Sequence, residues 1–218
     1  MQETRGALAV SQRTRSHLPV TVVFFSQRAD EEEAALLEGL LDARERQRAA
    51  AIRAPLRRHR FIVAHARIRQ ILARILGVDA RSVPITADTR GKPELPLDRP
   101  VAFNLSHTGD LAAVVLAPGT APVGIDLELR RPFTDPARID RLARRCLDTT
   151  EFREFAQLRP KEKADVLLRV WTRKEAFVKA LGTGLDTPLR AVHVGVGPTP
   201  HLAAVPAEAQ AWYWHLTD

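Results

Sequence analysis

The chain has 218 residues, 45% hydrophobic and 27% charged, so it is long enough to bury a core, and its composition is that of an ordinary globular protein rather than of a disordered chain. The formal net charge is +7, and the basic side is almost all arginine, with lysines only at positions 92, 161, 163, 174 and 179. A sequence pI of about 10.4 leaves three classes of partner open: nucleic acid, an acidic protein or a polyphosphorylated small molecule.

Cysteine content and hydropathy narrow the cellular setting. Cys146 is the single cysteine, which excludes an intrachain disulfide and a cysteine-based zinc site and favours a reducing cytoplasm. No apolar run reaches the roughly 18 residues that span a bilayer, and no secretory segment precedes Leu18. Residues 1–17 have the arginines of a transit peptide, but their composition favours a disordered tail.

The first part of the chain predicts one strand and two helical stretches. The run from Val20 to Phe25 is β-branched and aromatic and predicts a strand. A helix is expected from Asp30, because three glutamates follow in its first turn. Pro55 interrupts the next helical stretch, and apolar residues at helical spacing predict a long helix over 56–76 that Gly77 ends.

A hairpin and a boundary follow. The stretch 83–100 is rich in proline and glycine and contains Arg90-Gly91-Lys92-Pro93. Strands are predicted at 101–106 and 111–117, joined through His107-Thr108-Gly109-Asp110. The segment 118–122, Pro-Gly-Thr-Ala-Pro, is the best candidate boundary between two units.

The second part of the chain has a similar order of elements. We predict strands at 123–129, 192–196 and 212–216 and helices at 136–145, 148–158 and 161–181. The halves, 18–120 and 123–218, each have a long helix that ends in Leu-Gly, at Leu76-Gly77 and Leu181-Gly182. The identity between them is too low to prove duplication, so a cleft between two related halves is a hypothesis.

Two short motifs carry the chemistry. In Gly124-Ile125-Asp126-Leu127-Glu128 the alternation of a strand places both acids on one face. In the helix, Trp171, Glu175 and Lys179 fall at i, i+4 and i+8 and form one line. Carboxylates of this kind suit a hard divalent cation, which in turn suits a polyphosphate.

Each motif alone also has a plain structural interpretation. Asp126 and Glu128 fit the solvent face of an ordinary strand. Glu175 and Lys179 fit an ordinary surface pair, worth about 0.3 kcal/mol. Both, however, lie beside the apolar stripe of the helix, where the wall of a cleft would be.

Taken together, the motifs resemble those of a known family. Gly124 to Glu128, followed by Trp171-x-x-Lys174-Glu175-Ala176-x-x-Lys179-Ala180-Leu181-Gly182, resembles the paired signature of the 4′-phosphopantetheinyl transferase superfamily. Phe103-Asn104-Leu105-Ser106-His107-Thr108 and Gly91-Lys92-Pro93 are similar to that family too. The length resembles its long, surfactin-synthetase-activator type, which implies an α+β fold of two similar halves packed as an intramolecular pseudo-dimer.

The resemblance implies Mg²⁺-dependent transfer of the phosphopantetheine arm of coenzyme A to a serine of an apo acyl or peptidyl carrier protein, releasing adenosine 3′,5′-bisphosphate. Asp126, Glu128 and Glu175 would hold Mg²⁺, with Mn²⁺ as the alternative. Glu175 would take the serine proton, directly or through a metal-bound water, and Lys179 would contact the pyrophosphate. These are the implied catalytic and metal residues.

The resemblance also implies a coenzyme A site in the first half. Its residues would be Arg90, Gly91, Lys92, Pro93, Ser106, His107 and Lys179, with Arg53 and Arg60 at the 3′-phosphate. Without the resemblance, the residues themselves favour an ordinary turn histidine at His107 and a solvated loop lysine at Lys92. Trp171 is expected in the core, and the stretch 134–163 is where contacts with the carrier would vary.

Two other functions compete with this one. A basic nucleic-acid binder without catalysis would need aromatic stacking platforms, and only 6% of the residues are aromatic. Another Mg²⁺-dependent phosphotransferase or hydrolase would use the same carboxylates, although no P-loop motif is present. We expect a cytoplasmic monomer with an acidic carrier partner, and neither nucleic acid nor membrane as a partner.

Overall fold

The computed structural model describes residues 4–12, 19–99, 101–130, 135–211 and 213–218. The strands and helices occur in this order: β1 (Thr4–Gln12), β2 (Thr21–Ser26), α1 (Glu31–Glu38), α2 (Ala43–Ala51), α3 (Pro55–Leu76), β3 (Thr86–Ala87), β4 (Pro93–Glu94), β5 (Val101–Thr108), β6 (Leu111–Pro118), β7 (Val123–Leu129), α4 (Pro136–Cys146), α5 (Thr149–Ala156), α6 (Pro160–Leu181) and β8 (Tyr213–Thr217). In this described part of the chain, no helix combines the length and the apolar character that crossing a membrane requires. The α+β class predicted from the sequence is confirmed.

The first sheet places β6 between β2 and β5, antiparallel to both. Side chains of β6 enter two different cores, because successive residues of a strand point to opposite faces. Val114 and Leu116 pack with α3, whereas Ala113, Val115 and Ala117 pack with β7. The second set, with the buried residues of β7, is called the inter-sheet core below.

Helix boundaries in the first half follow local signals. Asp30 caps α1 by accepting from the backbone N–H of Glu33 at 2.8 Å. Pro55 is the first residue of α3, where its missing N–H costs nothing, and Gly77 ends that helix with φ of +67°. The predicted start and stop of this long helix are confirmed.

A buried arginine joins α2 to α3. Arg69 is 1% exposed and donates to Glu45 at 2.6 Å, to Asp42 at 2.5 Å and to the Val83 carbonyl at 3.1 Å. Burial alone would raise the pKa of Glu45, but hydrogen bonds from His65 and Arg69 lower it to about 2. This network fixes α2, which forms one side of the cleft described below.

The second sheet contains a correction. Its order is β7–β1–β8, and β1 runs antiparallel to both neighbours. The predicted disordered tail over residues 1–17 is therefore wrong for 4–12, and the rest of that stretch lies outside the described residues. This segment is short and contains small residues and an arginine, so its own strand propensity is weak. Its strand structure depends on pairing along both edges.

Helix α6 is packed against this sheet and anchored by a buried ion pair. Lys174 and Glu151 are both 0% exposed and bonded to each other, and the Lys174 ammonium also donates to the Cys146 carbonyl at 2.8 Å. Glu151 in addition accepts from the backbone N–H of Val194 at 2.8 Å. The lysine inside the helix motif is therefore a fixing point for α6.

The chain after α6 is mostly irregular. The predicted strand over 192–196 is wrong: in the described residues this stretch forms an isolated bridge between His193 and Ala204. The glycines and prolines over 195–200 favour turns there, so the strand predicted at 192–196 does not form. The last predicted strand is β8, although Trp212 lies outside the described residues.

Candidate active site

Strand β7 presents the two predicted acids on the face opposite its apolar residues. Ile125 and Leu127 are 3% and 2% exposed and belong to the inter-sheet core. Asp126 is buried and Glu128 half-buried, and both line a cleft. The alternation predicted from the sequence is thus observed, with the acids facing a cavity.

Helix α6 lies unusually close to β7, and Gly124 permits this. A methyl group at Gly124 would lie 2.1 Å from the Ala176 carbonyl oxygen and 2.4 Å from the Ala180 nitrogen, distances that no side chain tolerates. Only glycine lets the strand approach the helix backbone this closely. The approach brings Asp126 within reach of Lys179, one turn after Glu175 on the same helix.

Lys179 and Asp126 are in direct contact. The Lys179 ammonium donates to Asp126 Oδ1 at 2.5 Å and to Ser106 Oγ at 2.9 Å. Ser106 in turn donates to Asp126 Oδ1 at 3.1 Å. The structure therefore brings Asp126, Lys179 and Ser106 together, from three different elements.

Side chains of β5 hold the other edge of β7. Asn104 Oδ1, Ser106 Oγ and Thr108 Oγ1 accept from the backbone N–H groups of residues 125, 127 and 129, at 3.0, 3.1 and 3.2 Å. One edge of β7 is thus bonded by the β1 backbone and the other by β5 side chains. The polar residues at every second position of the Asn-Leu-Ser-His-Thr segment join the two sheets, and Ser106 both accepts from the Leu127 N–H and donates to Asp126.

The electrostatics of the acids suit a cation. Asp126 Oδ2 is buried and has no hydrogen-bond partner among the described residues. Burial raises the pKa of Glu175, the negative charge of Asp126 adds to this, and Lys179 opposes it. A buried carboxylate oxygen with no partner and a neighbouring acid with a raised pKa are features that a bound divalent cation would resolve.

The cleft has a volume of about 550 Å³ and walls from both halves. Its second-half wall carries Asp126, Glu128, Trp171, Glu175 and Lys179. The first-half wall carries Asp42, Arg44, Glu45, Arg48, His65, Gly91, Pro93, Ser106 and His107. Trp171 packs on the second-half core, as expected, but it also lines the cleft.

His107 lies where this cleft meets a second cavity of about 740 Å³. Desolvation lowers the pKa of His107, and the charge of Lys179 lowers it further, so the neutral imidazole is favoured. Arg53 and Arg60, predicted at the 3′-phosphate, line the second cavity and not the first. Arg60 is bonded to Asp110 Oδ1 at 2.6 Å, whereas Arg53 is exposed.

Arg90 and Lys92 face the second half of the chain. Lys92 Nζ donates to the Ala180 carbonyl at 2.9 Å, near the C-terminus of α6, and Arg90 is paired with Asp186 at 3.2 Å. Burial lowers the pKa of Lys92 to about 8, against the charges of Asp88 and Glu94. Gly91, which lies between them with φ of +86°, and Pro93, which follows Lys92, line the cleft, so only these two of the four predicted residues do.

A second group of metal-type side chains lies elsewhere. Ligand atoms of Asp148, Glu151 and His193 lie within 4.8 Å of one another. Asp148, however, caps α5 and is bonded to His193 at 2.6 Å, while both oxygens of Glu151 are already bonded. These contacts explain the cluster as structural support for α5 and α6.

Comparisons with known proteins decide the family. Residues 122–218 match the family model described as the 4′-phosphopantetheinyl transferase superfamily. The 4′-phosphopantetheinyl transferase HetI of Nostoc sp. is 34% identical over 186 residues, which cover 84% of this chain and 74% of that protein. The chain belongs to the 4′-phosphopantetheinyl transferase superfamily. The resemblance predicted from the motifs is thereby confirmed.

Relatives from Bacillus subtilis are similar over a shorter stretch. A 4′-phosphopantetheinyl transferase is 31% identical over 145 residues, which is 66% of this chain and 62% of that protein. Sfp is 31% identical over 132 residues, which is 60% of this chain and 55% of that protein. This superfamily member therefore spans less than two thirds of the length of these two relatives.

Some residues that line the cleft of this superfamily member were not predicted from the sequence. Arg44, Arg48 and His65 come from α2 and α3 and add positive charge or a polar ring to the first-half wall. The box Asp42-x-x-Glu45, in which each side chain bonds the other residue's backbone N–H, marks the start of α2 and was a detectable signal. Nothing local indicates that α2 faces the cleft, because the Arg69 network that places it is long-range.

Proposed function

We propose that this chain transfers the 4′-phosphopantetheine arm of coenzyme A to a serine hydroxyl of an apo acyl or peptidyl carrier protein. The observation that carries the proposal is the state of Asp126. One of its oxygens is bound to Lys179 and the other is buried with no hydrogen-bond partner in the described part of the chain, in a cleft that Glu128 and Glu175 also line. Membership of the superfamily supports this reaction over other uses of the same acids.

Three acids of the second-half wall line the same cleft and would hold a divalent cation. Asp126, Glu128 and Glu175 offer hard oxygen ligands, and Mg²⁺, or Mn²⁺ in its place, prefers them. When bound, the cation would neutralise charge on the pyrophosphate of coenzyme A and so favour attack at phosphorus. Lys179 holds Asp126 Oδ1, so the partnerless Oδ2 is the oxygen that remains for the cation.

Glu175 and Lys179 would handle the proton and the leaving group. Burial raises the pKa of Glu175, but a bound cation would lower its basicity again, so Glu175 would take the proton of the serine hydroxyl either directly or through a water molecule. As the serine oxygen bonds to phosphorus, its proton goes to Glu175 and the pyrophosphate P–O bond breaks. Lys179 would stabilise the charge on the departing adenosine 3′,5′-bisphosphate.

The first-half wall would bind the nucleotide part of coenzyme A. Arg44 and Arg48 line the main cleft, and His107 connects it to the cavity of Arg53 and Arg60. Guanidinium groups suit phosphates, so this continuous basic surface would carry the 3′-phosphate. Lys92 would hold the turn around Gly91 against the end of α6, and Arg90 would hold it against Asp186 in the segment that follows α6, since their cationic groups are bonded there.

The partner and the setting are part of the proposal. A net charge of +7 would attract an acidic carrier, and two related halves in one chain would form the cleft within a cytoplasmic monomer. Fatty acid, polyketide, nonribosomal peptide and siderophore systems all use carriers of this class. The assay below, with several apo carriers, identifies which carrier this chain modifies.

The test is incubation with coenzyme A, Mg²⁺ and several apo carriers, followed by intact-mass spectrometry of each carrier. We expect a phosphopantetheine mass gain on at least one carrier, lost when Mg²⁺ is chelated. No gain on any acyl or peptidyl carrier would reject the proposal and leave the other Mg²⁺-dependent phosphotransferases in competition.

Variants test the residues. Asp126→Ala and Glu175→Gln should each lower kcat/KM by more than about 100-fold with melting temperatures near that of the unaltered chain. The matched control Glu208→Gln, at an exposed position that does not line the cleft, should leave activity intact. His107→Ala should mainly raise the apparent KM for coenzyme A. Full activity in either acid variant would contradict the assignment.

A further inference from the structure

The two sheets have the same internal arrangement. In each, a central strand runs antiparallel to two outer strands: β6 between β2 and β5, and β1 between β7 and β8. The helices match as well, because α3 and α6 both have 22 residues, begin with proline and end at a glycine in the left-handed region. The halves are therefore comparable element by element.

The order of strands along the chain differs at one place. The first half runs from an outer strand (β2) through helices to the other outer strand (β5) and then to the central strand (β6). The second half runs from β7 through helices to β8, but its central strand, β1, precedes the whole of the first half. A single relocation of one strand converts one order into the other.

We propose that the second half is circularly permuted: residues 4–12 are its central strand, supplied from the start of the described chain, and they act as a positioning element for the acids of β7. The backbone of β1 pairs with β7 from Val123 to Leu129, opposite both Asp126 and Glu128. Without β1, the edge of β7 that faces away from β5 has no strand partner, and β8 is separated from the sheet.

The packing of β1 supports this role. Leu8 packs on the inter-sheet core, beside the buried residues of β6 and β7, and β1 also lies against α6. Gly6 lies close to β7, since a methyl group there would be 3.0 Å from Leu127 Cδ2. The strand therefore contacts both elements that carry the acids.

The geometry makes the proposal testable by relocating the strand. Thr217 pairs with Leu8, so the end of β8 and the start of β1 lie at the same end of the sheet, about 14 Å apart at 3.4 Å per residue. A flexible linker of about eight residues spans that distance. The permuted chain begins at Pro19 and continues after Asp218 through the linker into residues 1–12.

Four proteins are compared: the full chain, a chain lacking residues 1–12, the permuted chain, and the permuted chain with Ala7→Pro and Leu8→Pro, which removes one ladder N–H toward each neighbour. We measure melting temperature and the hydrogen exchange of amides 123–129. The permuted chain should melt within about 3 °C of the full chain and protect these amides equally. The truncated and proline-bearing chains should melt about 10 °C lower or more, or fail to fold, with exchange at least about 100-fold faster.

Two results would overturn the proposal: a truncated chain that melts and exchanges like the full chain, or a permuted chain without protection at 123–129. If the truncated chain does not fold, the permuted chain alone decides. The positioning role rests on the proposed function and is read from kcat for carrier modification, which the permuted chain should retain. Equal melting and protection with no transfer by either the full or the permuted chain would reject the transferase proposal and leave the strand order intact.

Discussion

Gly124 is the position where a single methyl group should separate the two catalytic elements. In Gly124→Ala the new methyl would meet the Ala176 oxygen at 2.1 Å, so β7 and α6 must part by about 1 Å to reach an ordinary contact. Overpacking of this kind costs about 3 kcal/mol when backbone must move, which lowers the melting temperature of a chain this size by about 6 to 12 °C. The same shift would lengthen the 2.5 Å contact between Lys179 and Asp126.

The expected loss of activity exceeds the loss of stability. A displacement of about 1 Å in a catalytic site costs about 100-fold in rate, so kcat for carrier modification should fall by that factor while the protein remains folded at 25 °C. The matched control is Gly197→Ala, because a methyl group there meets nothing within 4 Å. That variant should melt within about 2 °C of the unaltered chain and keep full activity. Identical behaviour of the two variants would refute the close-approach argument.

Three further predictions concern buried polar groups. The pKa of Glu45 in the folded chain, about 2, lies below the ordinary glutamate value of 4.5, so its stabilisation of about 3 kcal/mol is present above pH 4.5 and about 2 kcal/mol of it is lost by pH 3. Urea unfolding at both pH values should show that loss, and Glu45→Gln should remove it; an unchanged pH slope in the variant would contradict this. Lys174→Met leaves Glu151 buried without its cation and should lower the free energy of unfolding, measured in urea, by about 3 to 5 kcal/mol. The double variant with Glu151→Leu should regain part of that loss. A single variant as stable as the unaltered chain would disprove the role of the ion pair. Asn104→Leu leaves the Ile125 N–H without its hydrogen bond and should lower the free energy of unfolding by about 1 to 3 kcal/mol. Hydrogen exchange of the Ile125 amide should become faster, and an unchanged exchange rate would contradict this prediction.

Local patterns predicted most of the fold, and long-range contacts explain what they missed. The ends of α3 and α6 follow from proline and glycine, and the faces of β7 follow from alternation. Strand β1 was missed because its structure depends on pairing with β7 and β8, which come far later in the chain. Weak propensity of this kind is decided by tertiary context.

The site shows the same division. Asp126, Glu128, Glu175 and Lys179 were found because two motifs place them on defined faces, and all four line the cleft. Lys92 was assigned to coenzyme A by its neighbours in sequence, yet its side chain crosses to the Ala180 carbonyl of α6. A backbone pattern fixes which face a residue occupies, but the direction of a long side chain depends on what lies beyond that face.

The fixing of β7 argues for a preformed cleft. Three independent contacts determine its position: the β1 backbone on one edge, the Asn104, Ser106 and Thr108 side chains on the other, and the approach of α6 at Gly124. The second of these comes from the first half, so the halves cannot move apart without disturbing the strand that carries Asp126. Because packed interfaces deform little without breaking, the two walls of the cleft keep their spacing before any substrate binds. Substrate binding then needs no closure of one half on the other, and the free energy of binding coenzyme A remains available for orienting its pyrophosphate.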